Sequence, residues 1–235
     1  MSKLPCPELV MRSKQRLILH LAASFALVIL LSALAFSWLP WRPEAMSACS
    51  TSCVTPFGTR LGATTGGVVA FSNCSPGCVV LQSHRIGGSF MGLKWQCVEF
   101  ARRWLVERRG LDFASVATAA DIWDEVQVYR DLEDGREWLV TSHPNGSPLP
   151  PKPGDLFVYG RGYRGTGHVA VVVEVAKDRG WLAIAEQNFD NRPWPGTYAR
   201  RLPLVRHTGV SGVGWWVLDA YLIGWKRAVD PGLAE

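Results

Sequence analysis

The chain has 235 residues, 48% of them hydrophobic, with 25 Lys and Arg against 20 Asp and Glu. That length and composition suit one domain of moderate size with an appendage, and exclude a disordered chain. The formal charge of +5 sits mostly at the N-terminus: 20 bases face 18 acids beyond residue 44, so the folded part carries no nucleic-acid footprint, and no nucleic-acid-binding motif accompanies it.

Residues 1–16 hold Lys3, Arg12, Lys14 and Arg16 with one acid, Glu8. This reads as a basic cytoplasmic leader. The run 17–41, "LILHLAASFALVILLSALAFSWLPW", has no charge beyond a potential one on His20. As a helix of roughly 24 residues rising about 1.5 Å each it reaches about 36 Å, enough to cross a hydrocarbon core of about 30 Å. Trp38 and Trp41 stand at its far end, where interfacial aromatics belong. The expectation is a single-pass anchor with the rest of the chain outside the cytoplasm. The competing reading is a signal peptide cleaved near Ala33-Leu34-Ala35, giving a secreted or periplasmic protein. A buried soluble helix is a third, against which the length and the basic leader argue.

A linker over 42–54 leads to turns and a short strand, Val68–Phe71, and then to a Gly- and Ser-rich loop over 72–93. Cys49, Cys53, Cys74 and Cys78 form two C-x3-C pairs around this region. Outside the cytoplasm an even set of four suggests two disulfides in one of three pairings. Four free thiols are the alternative. The spacing differs from that of structural zinc pairs, so no metal site is expected. Cys97 is then the odd thiol, and an unpaired thiol in an oxidising compartment calls for a functional explanation.

Cys97, Phe100, Ala101, Trp104 and Leu105 recur at helical spacing and define one face of a helix that Gly110 stops. Glu99, Arg102, Arg103 and Glu107 lie largely off that face. A second amphipathic helix is expected over Ala119–Tyr129, followed by a proline-rich loop over 143–154. The period then shifts to that of strands over 155–160, 168–176, 181–188, 214–219 and 221–227. Helices first and an antiparallel sheet after them is an α+β pattern, with no boundary after residue 50.

Cys97 opens its helix with no Ser, Thr, Asp or Asn before it. Its sulfur would face the positive end of the dipole, and first-turn amides would be left to bind an oxyanion. Of the histidines, His20 lies in the apolar segment, His84 and His143 in expected loops and His207 in a late polar stretch. His168 opens an apolar strand and is the candidate base. Glu186 ends the next strand, where a carboxylate needs a partner. Taken singly, a Cys at a helix start, a His at a strand start and an acid at a strand end are more often structural. Their order along the chain follows the logic of papain-like enzymes.

The stretches "PFGTRLGATTGGVVAFS" (56–72), "FMGLKWQCVEFARRWL" (90–105), "PNGSP" (144–148), "TGHVAVV" (166–172), "AEQN" (185–188) and "LIGW" (222–225) carry a resemblance. The chain resembles the CHAP-type cysteine amidases, and more closely the amidase domain of the bifunctional glutathionylspermidine synthetase/amidases. The resemblance covers about residues 55–228, leaving 229–235 as a tail. It implies a papain-like (CHAP/NlpC-P60-type) α+β hydrolase fold. It implies Cys97 as nucleophile, His168 as general base and acid, and Glu186 as the group that orients the imidazole. Gln96, Arg102 and Asn188 would line the substrate site, and no cofactor is implied. The implied substrate is the amide joining glutathione to spermidine.

Two departures bear on this. Those enzymes carry a ligase domain for which no length is present here, so hydrolysis without synthesis is expected, and they are cytosolic. The stretch 73–88, which holds the second cysteine pair, is expected to reshape the cleft. Relatives outside the cytoplasm cut cell-wall peptides, which makes an exported peptidoglycan amidase or endopeptidase the alternative. A membrane-tethered binding module without catalysis is the second alternative.

Overall fold

The computed structural model describes residues 24, 25, 27–30, 49, 52–210 and 212–230. The chain divides into two units, residues 1–44 and 45–235. In the first, residues 24, 25 and 27–30 are helical; the remainder of the expected leader and apolar segment lies outside the described residues, as does Cys6. Among the described residues no helix is long and apolar enough to cross a membrane.

The second unit is rich in sheet. Strands β1 (Arg60–Ala63) and β2 (Val69–Phe71) form a small antiparallel pair. A hairpin of β3 (Ser83–Ile86) and β4 (Ser89–Leu93) follows, and then helix α1 (Cys97–Arg109). Beyond it come β5 (Leu111–Asp112), a 3-10 turn (Ala119–Asp121), the single-turn α2 (Ile122–Glu125), β6 (Val128–Asp131) and β7 (Glu137–Pro144). The chain closes with β8 (Leu156–Tyr159), β9 (His168–Ala176), β10 (Trp181–Ala185), β11 (Arg200–Gly209), β12 (Gly212–Val217) and β13 (Leu222–Ala228). The last nine strands form one sheet, in the order β12-β11-β10-β9-β8-β13-β7-β6-β5, with every pairing antiparallel.

The central strands are buried on both faces, which is why they read as continuous apolar runs. Leu156, Val158, Val169 and Val171 join one core with Phe100, Ala101 and Leu105 of α1. The alternate residues Phe157, Tyr159, Ala170 and Val172 join a second core with Leu182, Ile184, Leu204 and Trp225. The period of two along β8 and β9 thus divides the interior. Gly110 ends α1 at φ 65°, a left-handed conformation that suits glycine.

Several expectations change. The helix expected over Ala119–Tyr129 is a 3-10 turn and one turn of α2, started by a capping box between Thr118 and Asp121. Val126 then turns extended, and Val128 and Tyr129 pair with Leu139 and Trp138 instead. The expected loop over 72–93 contains the β3–β4 hairpin, turning at Gly87 and Gly88, both at positive φ. Strands β7 and β11 place His143 and His207 in sheet, and His84 lies in β3. The expected strand 181–188 stops at Ala185. Among the described residues the architecture is accordingly sheet-dominated, with one long helix rather than a helical layer.

Candidate active site

Helix α1 starts at Cys97 after Gln96, which is extended at φ −79°, ψ 159° and offers no side-chain cap. The Cys97 thiol is buried and, among the described residues, is the free cysteine. It is hydrogen-bonded with the His168 side chain, and the backbone amides of Val98 and Val169 point at its sulfur. His168 opens β9 directly after Gly167, which stands at φ 72°; a Cβ there would lie 2.3 Å from the Tyr159 carbonyl. Only glycine lets the chain enter β9 this close to β8.

His168 Nε2 lies 2.8 Å from Glu186 Oε2, and both side chains are buried. With Nε2 committed to the carboxylate, Nδ1 is the nitrogen left for the sulfur. Glu186 is one residue past the end of β10. The register Ala185↔Val171, continued, sets Asn188 opposite His168, so Glu186 reaches the ring as a diagonal neighbour. The ring is walled by Tyr159, Tyr163 and Phe189, whose centroids lie 5.4, 5.7 and 5.3 Å away.

Burial alone pushes the Cys97 thiol up, but the charge and hydrogen bond of His168, with the amides of Val169 and Val98, bring it below its ordinary value. Burial likewise disfavours a charged His168, yet Cys97 and Glu186 raise it to about 9. Glu186 resists burial too: His168 and Arg200 hold it below the usual carboxylate range. All three shifts favour a buried thiolate–imidazolium–carboxylate line over its neutral form.

Arg200 was not foreseen. Its guanidinium pairs with both Glu186 oxygens and with Asp219 Oδ2 at 3.0 Å, and stacks on Phe189 with Cζ 3.9 Å from the ring centroid. Tyr159 Oη donates to the same Asp219 oxygen at 2.8 Å. Nothing in the polar run at the start of β11 marked it.

Glu99 and Arg103, off the apolar face of α1, are nonetheless buried. Glu99 accepts from Arg103 Nε at 2.6 Å and Gln187 Nε2 at 2.8 Å, and lies 2.7 Å from His84 Nδ1. The carboxylate is compensated on three sides rather than solvated. Burial opposes its charge, but these partners keep it below the usual range.

A cavity of about 570 Å³ opens over Cys97 and His168, with Gln96, Arg102 and Asn188 in its lining. Arg102 is only 2% exposed. Its guanidinium donates to the carbonyls of Phe90, Met91 and Ala114, and its Nε lies 3.1 Å from Asp112. It supports the wall from behind more than it offers a free cation. Asn188 donates to Gln96 Oε1 at 2.8 Å, joining the residue before the nucleophile to the segment that carries Glu186.

The disulfides pair Cys49 with Cys78 and Cys53 with Cys74. They fasten the loop whose Pro76, Gly77 and Val79 form one wall of the cavity. Among the described residues no group of His, Cys, Asp and Glu has the make-up of a metal site. The arrangement is chemically that of a cysteine-dependent hydrolase: a nucleophile, an acid–base group and its orienter, beside an uncapped helix start.

Residues 88–188 match the CHAP domain family. The chain is 33% identical over 192 residues to the bifunctional glutathionylspermidine synthetase/amidase of Escherichia coli (strain K12), covering 77% of this chain and 30% of that protein. It is 33% identical over 195 residues to the glutathionylspermidine synthase of Crithidia fasciculata, covering 75% of this chain and 27% of the other. It is 34% identical over 165 residues to the trypanothione synthetase of the same organism, covering 70% and 24%. The chain thus spans less than a third of the length of these curated relatives.

Proposed function

From the CHAP domain over residues 88–188, we propose that this protein is a cysteine amidase that hydrolyses a small-molecule amide, the bond between the glycine carboxyl of glutathione and spermidine. The Cys97 thiolate attacks the amide carbonyl and a tetrahedral oxyanion forms at the start of α1. His168, protonated, gives its proton to the leaving amine as the thioester forms. It then takes a proton from water, which hydrolyses the thioester and frees the thiol. Glu186 holds the imidazole in the productive orientation throughout, and Asn188 and Gln96 border the bound acyl group. The observation that carries this reading is the continuous hydrogen-bonded line from Cys97 through His168 to Glu186.

The substrate choice is supported by the names of the three relatives and by the length of chain they share with this one. The two disulfides favour a location outside the cytoplasm, and with the basic leader and apolar run 17–41 they support an anchored or exported domain. That location is the specific reason to keep a second substrate, the peptide amides of peptidoglycan.

The purified chain is to be offered glutathionylspermidine and purified peptidoglycan in parallel, beside the Cys97→Ala variant. Release of glutathione and spermidine, lost in the variant, is the expected result. Release of muropeptides alone would replace the first substrate with the second. Activity that survives Cys97→Ala would end the nucleophile assignment.

A further inference from the structure

Asn73 is completely buried and touches the turn before Cys97, the loop 75–78 and the segment after Glu186. Its Oδ1 accepts from the Trp95 amide at 3.2 Å and from Gln96 Nε2 at 3.3 Å. Its Nδ2 donates to Asn188 Oδ1 at 3.1 Å and to the carbonyls of Ser75 and Cys78. Its own backbone amide donates to Asn191 Oδ1 at 2.7 Å. The Trp95 N–H on one side and two backbone carbonyls on the other permit only this orientation of the amide.

The bonds close into a ring. Asn73 donates to Asn188, Asn188 to Gln96, and Gln96 Nε2 in turn to the Cys78 carbonyl, at 3.0 Å, and to Asn73. The Gln96 carbonyl accepts from Phe100 N–H and from Gln187 Nε2, both at 3.2 Å. The peptide unit joining Gln96 to Cys97 is planar, so fixing its carbonyl fixes the Cys97 N–H in the opposite direction. That N–H is one of the first-turn donors that no helical carbonyl can use. It points out of the helix start, beside the sulfur.

We propose that Asn73 is a positioning residue for the oxyanion-binding turn Trp95–Cys97, coupling that turn to the disulfide-tied loop 74–78 and to the segment after Glu186. The proposal rests on the amidase reading, because an oxyanion must form at Cys97 for the turn to matter. Asn73 touches none of the reacting atoms. It fixes the angle at which the Cys97 amide meets a developing negative oxygen, and such donors act through position.

Two probes separate this role from general stability. p-Nitrophenyl acetate acylates the thiolate through a tetrahedral oxyanion: the S–C bond forms, p-nitrophenolate leaves with the electron pair of the broken ester bond, and water then releases acetate. Iodoacetamide alkylates the same sulfur by displacing iodide, with no oxyanion. Asn73→Asp keeps the shape and removes the donors, setting oxygen against the Asn188 and Cys78 oxygens. Asn73→Ala removes the donors and the acceptor together and decides the matter if Asn73→Asp does not fold.

In the full chain, with both disulfides verified by mass spectrometry, each variant is expected to lose tenfold or more in acetyl transfer. Alkylation at pH 6 is expected to stay within threefold of the parent. Equal losses in both rates would make Asn73 merely structural, and unchanged acetyl transfer would remove its role; either overturns the proposal. A parent whose Cys97 alkylates at pH 6 no faster than a free thiol would instead defeat the amidase reading, and the proposal with it.

Discussion

Glu186 Oε2 meets His168 Nε2 at 2.8 Å with both side chains buried, while Arg200 pairs with the same carboxylate. The carboxylate is therefore held ionised by Arg200, and the hydrogen bond it shares with the imidazole sets the ring's direction. Glu186→Gln keeps the size and removes the charge. A hydrogen bond to a charged group contributes about 1.5–3 kcal/mol, so kcat is expected to fall roughly 10- to 100-fold. Without the anion, Cys97 alone is left to oppose the burial of the charged ring, and the pKa of His168 drops from about 9. The alkaline limb of kcat/KM should move down with it, and a limb that stays in place would separate Glu186 from the imidazole.

The pH profile of the parent follows from the coupled pair. Cys97 is lowered and His168 raised to about 9, and both shifts favour the thiolate–imidazolium pair over the neutral one. kcat/KM is expected to be level through neutrality and to fall above about pH 9, as the proton for the leaving amine is lost. The linkage signs agree. The stabilisation from His168 is complete below its unfolded value of about 6.5 and vanishes as pH rises through about 9. That from Cys97 is complete above its unfolded value of about 8.5 and vanishes as pH falls through its lowered folded value. Where the two titrations overlap their contributions to stability have opposite slopes with pH. Iodoacetamide rates across pH 5–10 test the first half; a tenfold fall per pH unit below 8.5 would show an ordinary thiol.

Glu99 illustrates why some of the site was hidden in the sequence. The positions of Cys97, His168 and Glu186 were legible because each stands at the boundary of a strongly periodic element. The partners Arg200, Asn73 and Gln187 were not, because long-range side-chain pairing leaves no mark on local periodicity. Glu99 and Arg103 read as lying off the apolar face of the helix, whereas the β3–β4 hairpin and β2 cover them, and His84 and Gln187 complete the pairing. The hairpin itself carried a turn signal, Gly87-Gly88, that the surrounding Ser and Gly content masked. The helix expected over 119–129 failed because Val128 and Tyr129 gain a cross-strand partner in β7 that helical spacing cannot foresee.

Removing one member of the Glu99 cluster should be costly. Arg103→Met strips the close ion pair and leaves a buried carboxylate with His84 and Gln187. Breaking a buried pair in this way costs about 3–5 kcal/mol. At about 2–4 °C per kcal/mol for a domain of this size, Tm is expected to fall by roughly 6–20 °C. Calorimetry at pH 7 checks this, and a shift below 2 °C would mean that solvent reaches Glu99.

The two disulfides should differ in what they protect. Their sequence separations are 21 residues for Cys53–Cys74 and 29 for Cys49–Cys78. Loop-closure entropy gives each about 3–4 kcal/mol, so stability alone scarcely distinguishes them. Their hydrogen-bonded neighbours do. The Cys78 carbonyl accepts from Gln96 and Asn73, whereas the Cys74 amide donates to Ser72 Oγ and its carbonyl accepts from Val54, away from Gln96. Replacing Cys53 and Cys74 by Ser should lower Tm with kcat within threefold of the parent at 20 °C. Replacing Cys49 and Cys78 should lower Tm by a similar amount and also reduce kcat about tenfold, because the carbonyl that anchors Gln96 loses its tether. Equal kcat in the two double variants, measured well below both melting points, would show that the loop acts on stability alone.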